Sequence, residues 1–369
     1  MMKANDPVSG HQLAVTGFIL MLSPALRLFP AAAAVWAGKG AWLSALLAFP
    51  AAAAFLWLAR RAALWRREGE GLCELIERAA PGRAGRMALG VLWLWLCVYA
   101  GFVLRSGADR FLVTVYPNTP PAFFILTLLA AALFAAAAPL QNAARTAKLF
   151  LPPVALILIV VLAAALPDVR KENLLPLAPT DLPGVLGGSL AALDVLLWAV
   201  CAAAILLPGV SRGSVSFARL LPALAAGCAV LTLLAAAITG SFGAALTAEL
   251  SWPFFSLVRN LVFFRSIERV EALVVALWVF PDFLIVSLFL RAARRALGLS
   301  LGRRFTLFSD GRAALALCAA AAAAFALFAA PDAAALQLLS ERLIPGANLF
   351  FALVFFPALL GLGRLRGRI

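Results

Sequence analysis

The chain contains a single histidine, His11, and that removes most catalytic chemistry. A zinc site or a Ser-His-Asp triad would have to rely on it alone, so metallohydrolase or hydrolase function has no support. Five cysteines, Cys73, Cys97, Cys201, Cys228 and Cys318, contain no C-x-x-C pair, and four of them lie inside apolar runs. They read as small buried hydrophobes, not as metal ligands or disulfide partners. Charge is also scarce, at 13% of residues, and acids are outnumbered: 17 Asp and Glu against 31 Lys and Arg. What fills the chain instead is hydrocarbon. Its 369 residues are 64% hydrophobic, with a mean hydropathy of +1.00, whereas soluble domains sit near 45–50% apolar. Disorder, a collagen-like fibre and a disulfide scaffold are excluded. A pI near 11.0 would suit a nucleic-acid binder, but with so few charges the basic residues must lie in the gaps between apolar segments.

Ten apolar runs are long enough to cross a hydrocarbon core of ~30 Å, which takes about 20 residues of helix. They cover about 11–29, 41–59, 87–113, 119–138, 148–166, 184–208, 217–246, 267–290, 312–330 and 344–362. Such lengths exclude a β-barrel, whose strands alternate over ~10 residues. Within the ninth run, the tract Ala319–Ala324 reads as a helix packed closely through small side chains. The loops are too short for a soluble domain, so the expectation is one transmembrane domain whose helices carry the function. Pro253–Phe264 is apolar and aromatic but too short to span. It is either an interfacial or re-entrant half-helix over the bundle or the outer start of span 8.

Placing the N-terminus inside and alternating puts 21 of the 31 basic residues on the inner side and eight on the outer side, Arg110 among them. Arg27 and Arg105 fall within spans. This asymmetry satisfies the positive-inside rule with both termini cytoplasmic. Leu13–Leu22 followed by Ala31–Ala34 resembles a signal peptide, and its cleavage would leave the same loop polarity. The n-region has one lysine and Arg27 sits beside the cleavage region, which favours a retained span.

Ionisable groups inside a bilayer cost at least ~2.5–3.5 kcal/mol each on the insertion scale and are candidates for function by default. Asp194 lies about ten residues into span 6, near the midplane at ~1.5 Å per residue. Either it binds a ligand amine or a proton, or it pairs with Arg27 or backbone amides and fixes helix packing. Arg27 is in the outer third of span 1 with room to snorkel outward. Arg105 and Asp109, spaced i, i+4, are expected to pair structurally. Asp282, beside Pro281, is expected in the inner part of span 8. Pro24 predicts a kink or unwinding of span 1 near Leu20–Ser23. A broken helix there would expose backbone groups to a substrate; a plain proline kink is the alternative. Gly184 and Gly188 form a G-x-x-x-G pair that reads as close helix packing. Irregular spans 1 and 6 among ten suit two five-helix halves, about 9–166 and 184–362, related as an inverted repeat.

Several short motifs, in order and spacing, carry a family resemblance. They are Ser9 and Gln12 before span 1, Ala41-Trp42-Leu43-Ser44 opening span 2 and Asn173-Leu174-Leu175-Pro176 before span 6. The most specific is Phe264-Arg265-Ser266-Ile267-Glu268-Arg269-Val270-Glu271-Ala272-Leu273, with Trp278 after it. The chain resembles, over essentially its whole length, the GerAB-type spore germination proteins. These are the B subunits of nutrient germinant receptors, within the amino acid–polyamine–organocation transporter superfamily. The resemblance implies an all-α, LeuT-like five-plus-five fold with helices 1 and 6 broken around a small-molecule pocket. By position the pocket would take Leu22, Ser23, Pro24 and Ala25 from span 1 and Asp194, Trp198 and Cys201 from span 6. Tyr99 of span 3 and Trp278 of span 8 would flank it. Where the family often has an acid nearer Pro208, this chain has Val200-Cys201, and Asp194 sits about two turns earlier. Arg27 and the Glu268-Arg269-Glu271 cluster are expected to act as structural or gating groups. Implied partners are a small germinant such as an amino acid, a membrane A subunit and a C lipoprotein in a spore or cell membrane. No cofactor, metal, nucleic acid or enzymatic activity is implied. A secondary amino acid or polyamine transporter, with Asp194 as coupling site, is the alternative; a structural subunit binding no ligand is the third.

Overall fold

The structure, a computed structural model, describes residues 7–261, 270–302 and 311–369, with residues 270–273 described by their backbone alone. Glu268 and Arg269 therefore lie outside the described residues, as does the Glu271 side chain. Thirteen helices are present among the described residues. They are α1 (Gly10–Ala37), α2 (Ala41–Ala63), α3 (Leu72–Ala79), α4 (Arg83–Thr114), α5 (Pro121–Ala137), α6 (Leu140–Ala165) and α7 (Leu182–Ala203). Then come α8 (Phe217–Phe242), α9 (Ala244–Glu249), α10 (Pro253–Asn260), α11 (Val270–Leu301) and α12 (Arg312–Phe328). The last is α13 (Ala333–Leu365), which includes two π-helical turns, Leu339–Leu343 and Phe351–Phe355. Seven stretches are long and apolar enough to cross a membrane, and the first, Gly10–Ala63, holds both α1 and α2 around the tight turn Gly38–Gly40. Adding the shorter apolar helices α5 and α12 gives the ten spans read from the sequence.

Their neighbour pattern maps onto itself when the first five spans (α1, α2, α4, α5, α6) are exchanged for the second five (α7, α8, α11, α12, α13). The pairs α1–α7, α2–α8 and α4–α11 are each their own image, and α2–α7 exchanges with α1–α8. Similarly α4–α5 exchanges with α11–α12, and α1–α6 with α7–α13.

Local chemistry explains how the key helices start and pack. Ser9 caps α1: its hydroxyl accepts from the Gln12 amide at 3.2 Å while the Gln12 side chain accepts from the Ser9 amide at 2.9 Å. That reciprocal pair satisfies two N–H groups a helix start leaves open. Contrary to the expected break, α1 stays helical through Pro24 and Pro30; the prolines delete single hydrogen bonds without interrupting the helix. In α7 the irregularity is a change of pitch, with the α-helix tightening to a 3₁₀ turn over Ala204–Gly209 around Pro208. Gly101 of α4 lets that helix touch α12, since a Cβ there would lie 2.6 Å from the Ala322 carbonyl oxygen. The alanine tract does pack closely.

The G-x-x-x-G pair of α7 is likewise a packing face. A Cβ on Gly184 would fall 2.4 Å from the Trp36 carbonyl oxygen, and one on Gly188 would fall 2.4 Å from the Ser44 hydroxyl. Because the Trp36 atom is backbone, Gly184→Ala should cost about 1–3 kcal/mol of stability, read as a lower thermal midpoint of the purified protein. Gly298→Ala, with nothing within 4 Å of the new Cβ, should leave the midpoint unchanged or raised.

One end of the bundle carries the arginine-rich loops and α3. There Val8 donates to the Gly209 carbonyl at 2.7 Å, and Arg66, 1% exposed, donates to Val210. The opposite end is covered by α9 and α10, with Phe254, Phe255, Leu257 and Val258 of α10 buried. Pro253–Phe264 thus begins as a short helix lying on the bundle, as far as Asn260.

Candidate functional site

Two polar layers lie inside the bundle. The middle layer is built on Asp194 of α7, 1% exposed. Trp198, one turn further along, shares its face. Asn348 of α13 and Tyr99 of α4, each 1% exposed, complete it; Asn348 lies beside both the Asp194 carboxylate and the Tyr99 hydroxyl, and Trp198 lies beside Tyr99 as well. Aromatic rings wall this layer. Tyr99 lies 5.3 Å from Trp198 and 5.2 Å from Phe289 between ring centroids, and Trp95 lies 6.1 Å from Trp198 and 5.5 Å from Phe351. Four buried atoms here have no hydrogen-bond partner: acceptors Asp194 Oδ1 and Asn348 Oδ1, and donors Trp95 Nε1 and Trp198 Nε1. No salt bridge reaches Asp194 among the described residues. Unmet polar groups at such depth are costly.

The second layer, toward the α10 end, holds ion pairs and a buried arginine. Asp282 of α11 accepts from the Ser23 hydroxyl of α1 and from Arg110 of α4. Arg27 donates to Ser340 at 3.1 and 2.9 Å and to Ser106 at 3.3 Å, and its guanidinium lies 4.3 Å from the Trp252 ring. Trp252 in turn donates to Asp109 at 2.9 Å, which Arg105 faces at 3.8 Å. Three sequence expectations change here. Arg27 does not snorkel outward, because Ser106, Ser340 and the Trp252 face supply its partners inside. Arg110, counted with the outer loop, is buried and paired. Asp282 is not in the inner part of span 8; Ser23, Gly107 and Arg110 hold it toward the α10 end. The expected Arg105–Asp109 pair is present. On α4, Tyr99 and Ser106 are seven residues apart, so the layers are separated by about 10 Å.

The remaining expected residues fall as follows. Leu22, Pro24 and Ala25 are buried in the core of α1, and Ser23 turns to Asp282 and not to Asp194. Trp278 packs under Phe254 of α10 at 5.4 Å, far from Trp198; Phe289, three turns inward on α11, takes the place beside Tyr99. Cys201 lines a vestibule of about 190 Å³ at the arginine-rich end. The vestibule is bordered by Arg291, Arg294 and the Glu74–Arg295 ion pair and ends at Trp198 and Phe289. Burial, helped by Glu74, pushes the Cys73 thiol on its wall up to about 12, so it stays protonated and inert. Asn348, Phe289, Trp95, Phe351, Ser106 and Ser340 do not stand out in the sequence. Asn348 alone leaves a signal, as an amide inside the tenth apolar run.

Ten apolar helices paired in this way define a membrane protein with a transporter-type, LeuT-like fold. The chain belongs to the spore germination protein family, whose profile matches residues 7–302. Among solved structures it is similar to Mhp1, a nucleobase-cation-symport-1 family transporter in a closed conformation with bromovinylhydantoin bound. That likeness has a TM-score of 0.62 and 14% identity over 96% of this chain and 80% of the other. It is also similar to MhsT in complex with L-phenylalanine, with a TM-score of 0.58 and 20% identity over 96% and 88% of the two chains. No curated protein matches significantly. Family and fold are of the permease type, and the chain is an integral membrane protein.

Proposed function

We infer that this chain is the germinant-binding B subunit of a nutrient receptor, holding a small amino acid in the middle layer and signalling to a membrane A subunit and a C lipoprotein. The observation that carries this reading is Asp194, a deeply buried carboxylate with one unpartnered oxygen and no salt-bridging cation among the described residues. An α-amino acid brings an ammonium for Asp194 and Asn348, and a carboxylate for the free indole N–H groups of Trp95 and Trp198. The Trp198 and Tyr99 faces favour the cation as well. L-phenylalanine bound to the similarly folded MhsT supports an amino acid as the class. The two halves, about 9–166 and 184–362, are taken as the repeats that move against each other. Both termini are placed in the cytoplasm of a spore, which turns the vestibule inward. Binding then has to favour one conformer over another, which suffices for sensing.

The test is a germination dose–response to single L-amino acids in spores carrying this chain with its partner subunits, set beside uptake of the same labelled amino acids into proteoliposomes. A response without accumulation is expected. Proton-driven accumulation abolished by Asp194→Asn would overturn the sensor reading in favour of a secondary transporter. A response that survives bulky substitution of the Asp194 layer would favour a subunit that binds no ligand.

A further inference from the structure

A larger cavity, about 350 Å³, adjoins the vestibule and lies between α1, α2, α3, α7, α8 and α13. Its wall is apolar almost throughout, with Leu13, Phe18, Met21, Phe55, Leu224 and Phe356 as its larger members. Leu58, 56% exposed, stands at its open side. At one end are Arg60 and Trp65, and basic groups gather around them. The Arg61 guanidinium lies 4.5 Å from the Trp57 ring, that of Arg364 lies 5.8 Å from the Trp65 ring, and Arg212 donates to the Leu64 carbonyl. Two acids of the same region are already engaged, Glu70 with Arg78 and Glu74 with Arg295.

A void facing a bilayer forfeits dispersion contacts on one side, and an acyl chain restores them. Filling alone gives no choice among lipids, since every tail is as apolar as the wall. Selection comes from the arginine rim, which attracts an anionic headgroup at the inner leaflet. We propose that this crevice binds one acyl chain of an anionic phospholipid, with the headgroup held by Arg60, Arg61 and Arg364. Two features couple such a lipid to the ligand site. Cys201 borders both the crevice and the vestibule, and Leu207, in the 3₁₀ turn that ends α7, lines the crevice. An occupied crevice braces the inner end of the helix that carries Asp194.

The experiment is native mass spectrometry of the full chain released from nanodiscs of equal phosphatidylglycerol and phosphatidylethanolamine. Wild type should retain one phosphatidylglycerol at least about fivefold over phosphatidylethanolamine. Arg60 also donates to the Val215 carbonyl at 3.2 Å, so the charge test uses the Arg61→Gln and Arg364→Gln double variant, in which the preference should fall toward unity. Gly361 lines the crevice and a Cβ there meets nothing within 4 Å. Gly361→Leu should therefore fold as wild type and lose the retained lipid. Equal retention of both lipids, undiminished retention in Gly361→Leu, or a protein partner held in place of lipid would overturn the proposal.

Discussion

Asp194→Asn should raise the germinant concentration needed for a half-maximal response by about 10- to 100-fold, while the protein folds at least as well as wild type. The two effects have one cause. Asn has nearly the shape of Asp and still faces Asn348, so packing in the middle layer is preserved. It lacks the charge that an ammonium needs, and a hydrogen bond to a charged group contributes about 1.5–3 kcal/mol, with each 1.4 kcal/mol a factor of ten. In the empty protein, by contrast, the carboxylate oxygen without a partner is a liability, and neutralising it removes a desolvation cost. The check is a dose–response curve paired with a thermal midpoint on the same variant. A weakened response with an unchanged or higher midpoint is the signature of a ligand group. An unchanged response with a lower midpoint would make Asp194 a packing residue and return the choice left open by the sequence to its structural side. Asn348→Leu, which removes a second acceptor but no charge, should give a smaller shift in the same direction.

Much of this architecture was legible because a bilayer allows few solutions. With no water to satisfy the backbone, a 20-residue apolar run has to be a helix, and all ten runs are helical over nearly all of their described residues. Packing signals that depend on absent atoms were also readable: Gly184 and Gly188, and the alanine tract of α12, state a close approach without naming the partner. The polar interior was harder. Burial of Asp194 followed from its depth, but the direction of Arg27 did not. A long side chain near a helix end can reach either way, and the inward choice depended on Ser106, Ser340 and Trp252, contributed by α4, α13 and the segment before α10. Asp282 was misplaced in depth because α11 runs for 32 residues, so a span boundary drawn from hydropathy shifts the inferred midplane by several residues. Trp278 shows the same error with a different result. Its place near the α10 end of the helix puts it beneath Phe254, and Phe289 stands beside Tyr99 in the middle layer.

Asp282→Asn should destabilise the protein by about 3–5 kcal/mol, a larger effect on folding than that of Gly184→Ala or Asp194→Asn, because it breaks a buried ion pair by removing one side. Arg110 and Asp282 are each only 2% exposed at the side chain. Arg110 Nε already lacks a hydrogen-bond partner, so a guanidinium stripped of its counter-charge is left, among the described residues, with a neutral amide oxygen and the faces of Trp252 and Phe255, 5.9 and 5.6 Å from its centre. Arg110→Met should be costly for the converse reason, leaving Asp282 with the Ser23 hydroxyl alone. The double variant Arg110→Met, Asp282→Leu exchanges two charges for hydrocarbon, and its midpoint should return most of the way to wild type. A double-mutant cycle on thermal or denaturant midpoints measures the coupling directly. A coupling below about 0.5 kcal/mol would mean that the pair contributes nothing specific. The same cycle separates stability from signalling. Ser23→Ala leaves the ion pair intact and removes one hydrogen bond, about 1 kcal/mol, yet it cuts the only hydrogen bond that ties α1 to Asp282 among the described residues. If the α1–α11 tie holds the outer end closed during the response, Ser23→Ala should shift the dose–response far more than it shifts the midpoint. The Arg110→Met, Asp282→Leu protein should then fold well and respond poorly, because hydrophobic replacement restores the packing of that layer but not a bond that can open and close.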